Sequence, residues 1–599
     1  MRDNDIKFGK TLIILIIFTG IILIFQFSRM GILTNSSPNQ REKKIDSGEV
    51  HLLNLPTIES DIPVIGIISD DKDTNKKFLI EGSIQYLEHL GYQYKYVDTS
   101  ELSELKQYDM LLVFLTDFDE GKYMASIMEY VQSGKYAYFP YLPFENNIYS
   151  SNLRKIGVIE SNYENFKIDQ ITDKGGIIGD KDKVYTVPRN IEMTLKVRLT
   201  KEAEILLETI ETPVFWTMEY GEGSFLVSST EFLASSESRG ILAYALYCGL
   251  YRTNNKAMIQ PFYNVSTTVL QDIALPVQVQ NSPLLLQLNI NQESFMLDYY
   301  FKLFKNISQK NGDKISMSYT IDYSEFFNDK LPETLQRSQF RLYSSQILNM
   351  GGEIISGGYS NHALGLEGEL QEIGFFIPWE SEQIIKESIA VSERYLKDIY
   401  PNYTLTSYVA PHGRIGFETL SRIDNWFPSV ETILNRYVIE YPDQLLGDFT
   451  AINSGNQYLY AITTENGAAH WGTINAIQSL GVNSLGFHSY NLVKDTLDFK
   501  AFSSDIQYAY EFQELYGLNK KTPYEAGEMI KQYQNMKIYY KEDGQGLQYE
   551  IDAFVEGTAF FLRSEKFPTS EDAKIISVGK DYIIYPKSPK GFIEWEETE

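Results

Sequence analysis

The sequence predicts a multi-domain α/β protein preceded by a membrane-spanning helix, and three features carry that expectation. Apolar strand-like runs alternate with segments of helical spacing over residues 57–256 and again over 283–535, the pattern of parallel sheets covered by helices. Short alternating runs close the chain after residue 536, and an almost wholly apolar segment opens it. At 599 residues the chain exceeds what one core fills, so two or three domains are expected.

The apolar run at 11–27 is about 17 residues long, near the lower limit for a hydrocarbon core roughly 30 Å thick. Arg2, Lys7 and Lys10 precede it, which keeps the N-terminus cytoplasmic. No small-x-small cleavage site follows. Residues 1–30 therefore read as an uncleaved single-pass anchor, with the bulk of the chain extracytoplasmic. Residues 31–56, polar and containing Asn35-Ser36-Ser37-Pro38, read as a flexible stalk.

In residues 57–256, strands are expected at 62–68, 92–97, 110–115, 136–139 and 224–228, and helices at 78–90, 123–132 and 240–251. Ser69-Asp70-Asp71 occupies the first turn, where a dinucleotide site would need glycines. The domain resembles the Rossmann-like sheet of class I glutamine amidotransferases. Those enzymes need a cysteine at a strand-to-helix elbow, and Cys248 lies inside the expected last helix, so a scaffold or docking role is expected. As the only cysteine, Cys248 also allows no intramolecular disulfide and no thiolate zinc site.

Residues 257–282 read as a linker. The second domain, 283–535, is expected to open on a buried strand at 284–291. Helices at 295–308, 334–349 and 381–399 then alternate with strands at 315–319, 405–409 and 484–487. Such a succession makes a distorted (β/α) barrel whose site lies at the strand C-termini. The tail, 536–599, reads as a small β-sandwich from runs at 537–540, 547–554, 558–562, 573–578 and 581–585.

Four segments of the second domain carry chemistry. Leu284-Leu285-Leu286-Gln287-Leu288-Asn289-Ile290-Asn291 ends in two amides, and Gly357-Gly358-Tyr359-Ser360-Asn361-His362 has the frame of a histidine-pair loop. Ser407-Tyr408-Val409-Ala410-Pro411-His412-Gly413 and Leu485-Gly486-Phe487-His488 supply strand ends with imidazoles. Together they resemble the polysaccharide deacetylase (NodB-like) family, most of all the deacetylase part of Pel-type exopolysaccharide biosynthesis proteins. The resemblance implies that Asn289 stands at the position of the catalytic base, and Asn291, Gly357 and Asn361 at metal-ligand positions. An amide cannot act as a general base near neutral pH, and glycine has no side chain to ligate with. His488 is implied as the proton donor to the leaving amine, and His362 and His412 as substitute ligands. Tyr359, Pro411, His412, Trp471, Phe487 and Tyr490 are the implied sugar-binding side chains.

Asn291 also reads as a helix cap, His362 as a solvated loop residue, and Asp322 as a further carboxylate on the second strand. The expectation is a degenerate deacetylase-like protein that binds an amino-sugar polysaccharide during its modification, assembly or export. No cofactor is expected unless the site is active, when a zinc-like divalent ion would be. The alternatives are an active N-deacetylase with an atypical metal set and an inert scaffold of a polysaccharide synthase complex. A formal charge of −27 argues against nucleic acid, because phosphate backbones are bound by Lys and Arg.

Overall fold

The computed structural model describes Thr19 and residues 50–596, except 54–55, 59–61, 70–75, 116–121, 143–149, 275–278, 280–281, 324–326, 328–330, 332–336, 371–375, 438–446, 455–456, 464–466, 495–497 and 579. No helix among the described residues is long and apolar enough to cross a membrane. That finding corrects the expected single-pass membrane architecture. The 11–27 run itself lies, apart from Thr19, outside the described residues. The fold is α/β, with one half-barrel sheet and three further sheets.

The first sheet has nine strands. Val64–Ser69 pairs in parallel with Gln93–Tyr96 and Met110–Phe114, and the parallel run continues through Tyr136–Phe139 to Gly223–Ser228. Beyond Gly223–Ser228 the sheet turns antiparallel, through Pro213–Tyr220, Glu204–Glu208, Val158–Asp173 and Lys183–Leu199. The central parallel strands were legible because they are apolar on both faces, as in the fully buried Met110–Phe114, whereas the edge strand Gln93–Tyr96 is largely exposed. The antiparallel half mixes charges with apolar residues along long strands. Helix Arg239–Leu250 packs against this sheet and buries Cys248, which leaves that thiol without an open surface.

The main strands of the half-barrel are β1 (Val265–Gln271), β2 (Ile315–Tyr319), β3 (Ile354–Ser356), β4 (Ser407–Val409), β5 (Thr432–Asn435), β6 (Ala451–Ser454), β7 (Gln457–Ala461) and β8 (Asn483–His488), and a ninth, two-residue strand, Asn519–Lys520, pairs with β1. They lie in the order β6-β7-β5-β4-β3-β2-β1-β8, parallel except for β6. One face packs Leu270, Met317, Tyr319, Ile433 and Leu485 against the surrounding helices. The other packs Val265, Val269, Ile355, Val409 and Leu434 against Ala526 and Ile530 of helix Pro523–Gln534. That helix fills the hollow of the open barrel. Thr522 and Glu525 form a reciprocal capping box at its start.

Two expectations about this region are corrected. The segment expected as a strand at 284–291 is a helix, Pro283–Leu288. Ser282 accepts from the Leu285 N–H, proline sits in the first turn, and Asn289 ends the helix at φ +53°. This is the Ser-Pro start and left-handed Asn stop that helices favour. The expected linker supplies two strands instead. Met258–Phe262 joins Ala559–Arg563, Asp581–Pro586 and Ala573–Val578 in one tail sheet, and the next strand is β1. The second tail sheet is Lys537–Glu542, Gly546–Asp552, Lys590–Trp595 and Pro568–Thr569. His51, within the expected stalk, forms an antiparallel bridge to Phe554 on the tail.

At the base of the half-barrel, the fully buried Glu353 accepts from Thr406 Oγ1 (2.7 Å), Ser407 Oγ (2.7 Å) and the Tyr524 N–H (3.1 Å). One carboxylate thus ties β3, β4 and the filling helix together. Glu353→Ala leaves three buried donors without an acceptor and is expected to cost about 3 kcal/mol in urea unfolding. An unchanged midpoint would show that these ties contribute nothing net.

Candidate functional site

The C-terminal ends of the half-barrel strands converge, and β1 and β8 supply the central pair. Gln271 lies opposite His488 in the β1–β8 register, so Asp272, the next residue, sits beside that imidazole. His488 Nδ1 is 3.7 Å from Asp272 Oδ2. Thr320, just past β2, donates from Oγ1 to Asp272 Oδ1 at 2.9 Å. Burial by itself would raise the Asp272 carboxyl, but His488, Tyr323 and Thr320 outweigh it and hold the group below the usual carboxylate range. The Tyr323 hydroxyl faces the same carboxylate without closing a hydrogen bond of normal length. Its phenol is held far above its ordinary value by burial and by the Asp272 charge. A buried carboxylate that stays ionised beside an imidazole is an arrangement that can hold or move a proton.

Two backbone conformations mark the site. Asp272 has φ +57° and His412 φ +54°, both in the left-handed region that costs a non-glycine side chain of order 1 kcal/mol or more. His412 follows β4 in a short turn, Pro411–Gly413. Its imidazole is pushed down by burial, is hydrogen-bonded to the Asn361 backbone, and feels the charges of His488, Arg414 and His362. His362, His412 and His488 therefore share one neighbourhood, at the ends of β3, β4 and β8. Asp322 is there too: its N–H donates to the Tyr359 carbonyl at 2.8 Å, and it bridges to Ser360.

The other implied site residues are placed differently. Asn291 acts as a helix cap, accepting from the Ser294 N–H at 2.8 Å. Asn289 ends the preceding helix, so neither amide occupies the base or ligand position at the end of β1. Gly357 lies at the end of β3, where a Cβ would come within 2.9 Å of Thr320 Oγ1. Tyr359 is buried edge-on against Phe327, and Phe487 is buried between Phe304 and Phe502, so neither ring offers a face to a sugar. Pro411 is buried in its turn. Trp471 donates from its indole N–H to the Glu237 carbonyl at 2.8 Å and packs on Phe232, in the contact with the first domain. Tyr490 is half-buried on Tyr323, with Lys494 over its ring. Of the aromatic set, it alone stands beside the Asp272 cluster.

His470 also lies elsewhere, among Tyr185, Tyr508 and Phe512. Burial pushes its imidazole, and that of His89, down to about 4. A histidine depressed in the folded state stabilises the fold above its unfolded value of about 6.5. That contribution is lost as pH falls toward 4, because the unfolded chain then binds the extra protons. The melting temperature is expected to drop across that window, and His470→Phe to flatten the drop. An identical profile in the variant would refute the assignment.

Over residues 50–584 the chain matches the model of a family described as an uncharacterised protein conserved in bacteria, DUF2194. The chain belongs to this family. No curated protein matches it. Among solved structures, the DUF2194 chain is similar to Agd3, titled a novel carbohydrate deacetylase. The identity is 9% and the TM-score 0.45, over 90% of this chain and 99% of that one. A ThuA-like protein from Bacteroides uniformis ATCC 8492 is 11% identical at TM-score 0.22, over 30% of this chain and 86% of that one. The exo-β-1,4-mannosidase Op5Man5 from Opitutaceae bacterium strain TAV5 is 13% identical at TM-score 0.24, over 32% and 36%.

Asp272, Gln271, Thr320 and Tyr323 of the DUF2194 chain were not singled out from the sequence. The signal was the β-branched run Val265-Ser266-Thr267-Thr268-Val269 closing on a carboxylate. The more apolar Leu284-Leu285-Leu286 outweighed it. A deacetylase-type divalent ion would need carboxylate and imidazole donors around one point. Among the described residues, no group of three His, Cys, Asp or Glu side chains lies close enough to hold an ion. The described residues, as placed, do not fit such an ion.

Proposed function

We propose that this chain binds a polysaccharide across the strand ends of its half-barrel and hydrolyses acyl groups from it, with Asp272 and His488 as the acid–base pair. The observation that carries this reading is the ionised, buried Asp272 facing His488 Nδ1 at 3.7 Å. With Nδ1 turned to the carboxylate, Nε2 is the nitrogen turned away from it. There it can take a proton from an attacking water and return one to the departing amine or hydroxyl, while Asp272 stabilises the imidazolium. Burial pushes the His412 imidazole below its ordinary value, which favours the neutral form that can accept a hydrogen bond. Tyr490 supplies a ring beside the pair. The part of the expected impairment read from Asn289 and Asn291 loses its ground because both sit at helix ends, while Gly357, at the end of β3, supplies no ligating side chain.

The test is acetate release from N-acetylhexosamine oligomers and from an O-acetylated polysaccharide by the purified chain. His488→Ala is expected to lower release by about a hundredfold or more. A chelator arm separates carboxylate–imidazole chemistry, which survives, from ion-dependent chemistry, which stops. Binding without release would leave a carbohydrate-binding protein, and neither binding nor release would sink the proposal.

A further inference from the structure

A cavity lined by none of the Asp272-cluster residues lies where three parts of the chain meet. The first domain contributes the loop at 176–185 and helix Arg239–Leu250. The half-barrel contributes helices Ala469–Gln478 and Phe499–Leu515, and the tail contributes residues 563–582. Its volume is about 560 Å³, within the range of small-molecule sites. From this cavity we infer a second glycan-binding site, one that takes an uncharged, hydroxyl-rich sugar ring.

Its aromatic content is the first argument. Tyr185, Phe512, Tyr516 and Tyr582 line the interior, and Tyr508 and Phe567 stand at its mouth, 50% and 54% exposed. Exposed rings at the edge of a concave site supply flat apolar faces at low entropic cost. The C–H faces of a pyranose match such faces.

Charge gives the second argument. Lys183 pairs with Asp180 at 3.6 Å, Arg252 with Glu565 at 3.1 Å and Arg563 with Asp581 at 2.7 Å. The fourth cation of the lining, Lys580, reaches the Gly175 carbonyl at 3.5 Å, and Glu511 balances it in the same wall, so the lining as a whole gives little preference for a phosphate or any other net-charged ligand. The paired cations remain hydrogen-bonding groups for hydroxyls. A neutral sugar is the class that uses both the rings and the paired charges.

The third argument is that one wall is held rigidly. Asp173, fully buried, accepts from the N–H groups of Ile177 (2.9 Å), Ile178 (2.8 Å) and Gly179 (3.0 Å). From the opposite side, Gln478 Nε2 donates to the Ile177 and Ile178 carbonyls at 3.0 and 2.6 Å. A Cβ at Gly179 would come within 2.5 Å of Tyr185 Oη, so glycine lets the loop close on that ring. A wall already in place loses little freedom on binding.

The experiment is isothermal titration of the full chain with a neutral N-acetylhexosamine hexamer, compared with Tyr508→Ala/Phe567→Ala and with His488→Ala. Both rim rings are half exposed, so the double variant is expected to keep the wild-type melting temperature. It is expected to bind the hexamer at least tenfold more weakly in one of two sites, while acetate release from a short soluble substrate is unchanged. Tyr508→Phe should bind as wild type. Wild-type binding by the double variant would overturn the inference, as would loss of all binding in His488→Ala alone, or no binding at all. Because the readout is affinity and not turnover, an inactive strand-end cleft would leave this result standing.

Discussion

Asp272→Asn is expected to reduce acyl hydrolysis by about a thousandfold, the scale on which a positioned acid–base group contributes. The variant is nearly isosteric, and asparagine tolerates the left-handed backbone that Asp272 adopts at φ +57°. The carbonyl oxygen of an asparagine can still accept from Thr320 Oγ1, so the fold should survive. What is lost is the negative charge that holds His488 3.7 Å away and stabilises its protonated form. Release assays on the variant, with circular dichroism to confirm folding, check this. Turnover within a fewfold of wild type would remove Asp272 from the mechanism.

The carboxylate also gives the site a pH signature. Since its folded value lies below the ordinary one, its contribution to stability is present above about pH 3.9. It is lost only as pH falls through the lower folded value. Acid weakening of the fold near pH 5 therefore belongs to the buried histidines and not to Asp272.

Asp581→Ala is expected to cause the largest loss of stability, about 3–5 kcal/mol. Arg563 and Asp581 form a two-pronged pair, Nε to Oδ1 at 2.7 Å and Nη2 to Oδ2 at 3.2 Å, with both side chains 8% exposed. Tyr516 adds a hydrogen bond to the same carboxylate at 3.3 Å, and the guanidinium lies over Phe561 and near the Tyr247 ring. Removing the carboxylate leaves a buried cation at the meeting point of tail, first domain and half-barrel. Denaturant unfolding measures the loss. Replacing both partners by apolar residues should cost less than Asp581→Ala, because no charge is then stranded. Equal costs would show that the residues matter by packing alone.

How the sequence was legible follows the physics of each segment. The apolar run Met110–Phe114, set between Asp109 and Thr116, was readable because burial on both faces leaves a compositional mark, and the helix Lys77–His89 because its apolar spacing stops just before Gly91. Pro283–Leu288 was misread because a short apolar run is ambiguous between strand and helix. The deciding marks were its ends: Ser282 with Pro283, and Asn289. β1 was passed over because serine, threonine and glutamine make it look like a connection. In the folded chain the threonines are buried and satisfied, Thr267 across the sheet by Ser484 and Thr268 by Tyr510 of helix Phe499–Leu515.

The amino-acid order alone determined the α/β class, the imidazoles His362, His412 and His488 after candidate strands, and the acidic balance that disfavours nucleic acid. Tertiary structure decided which carboxylate stands with them. Strand pairing sets neighbours at about 5 Å across a sheet whatever their separation in sequence, so β1 beside β8 brings Asp272 to His488. Helix capping places the two asparagines instead: Asn289 ends one helix through its backbone N–H, and Asn291 caps the next with its side-chain oxygen.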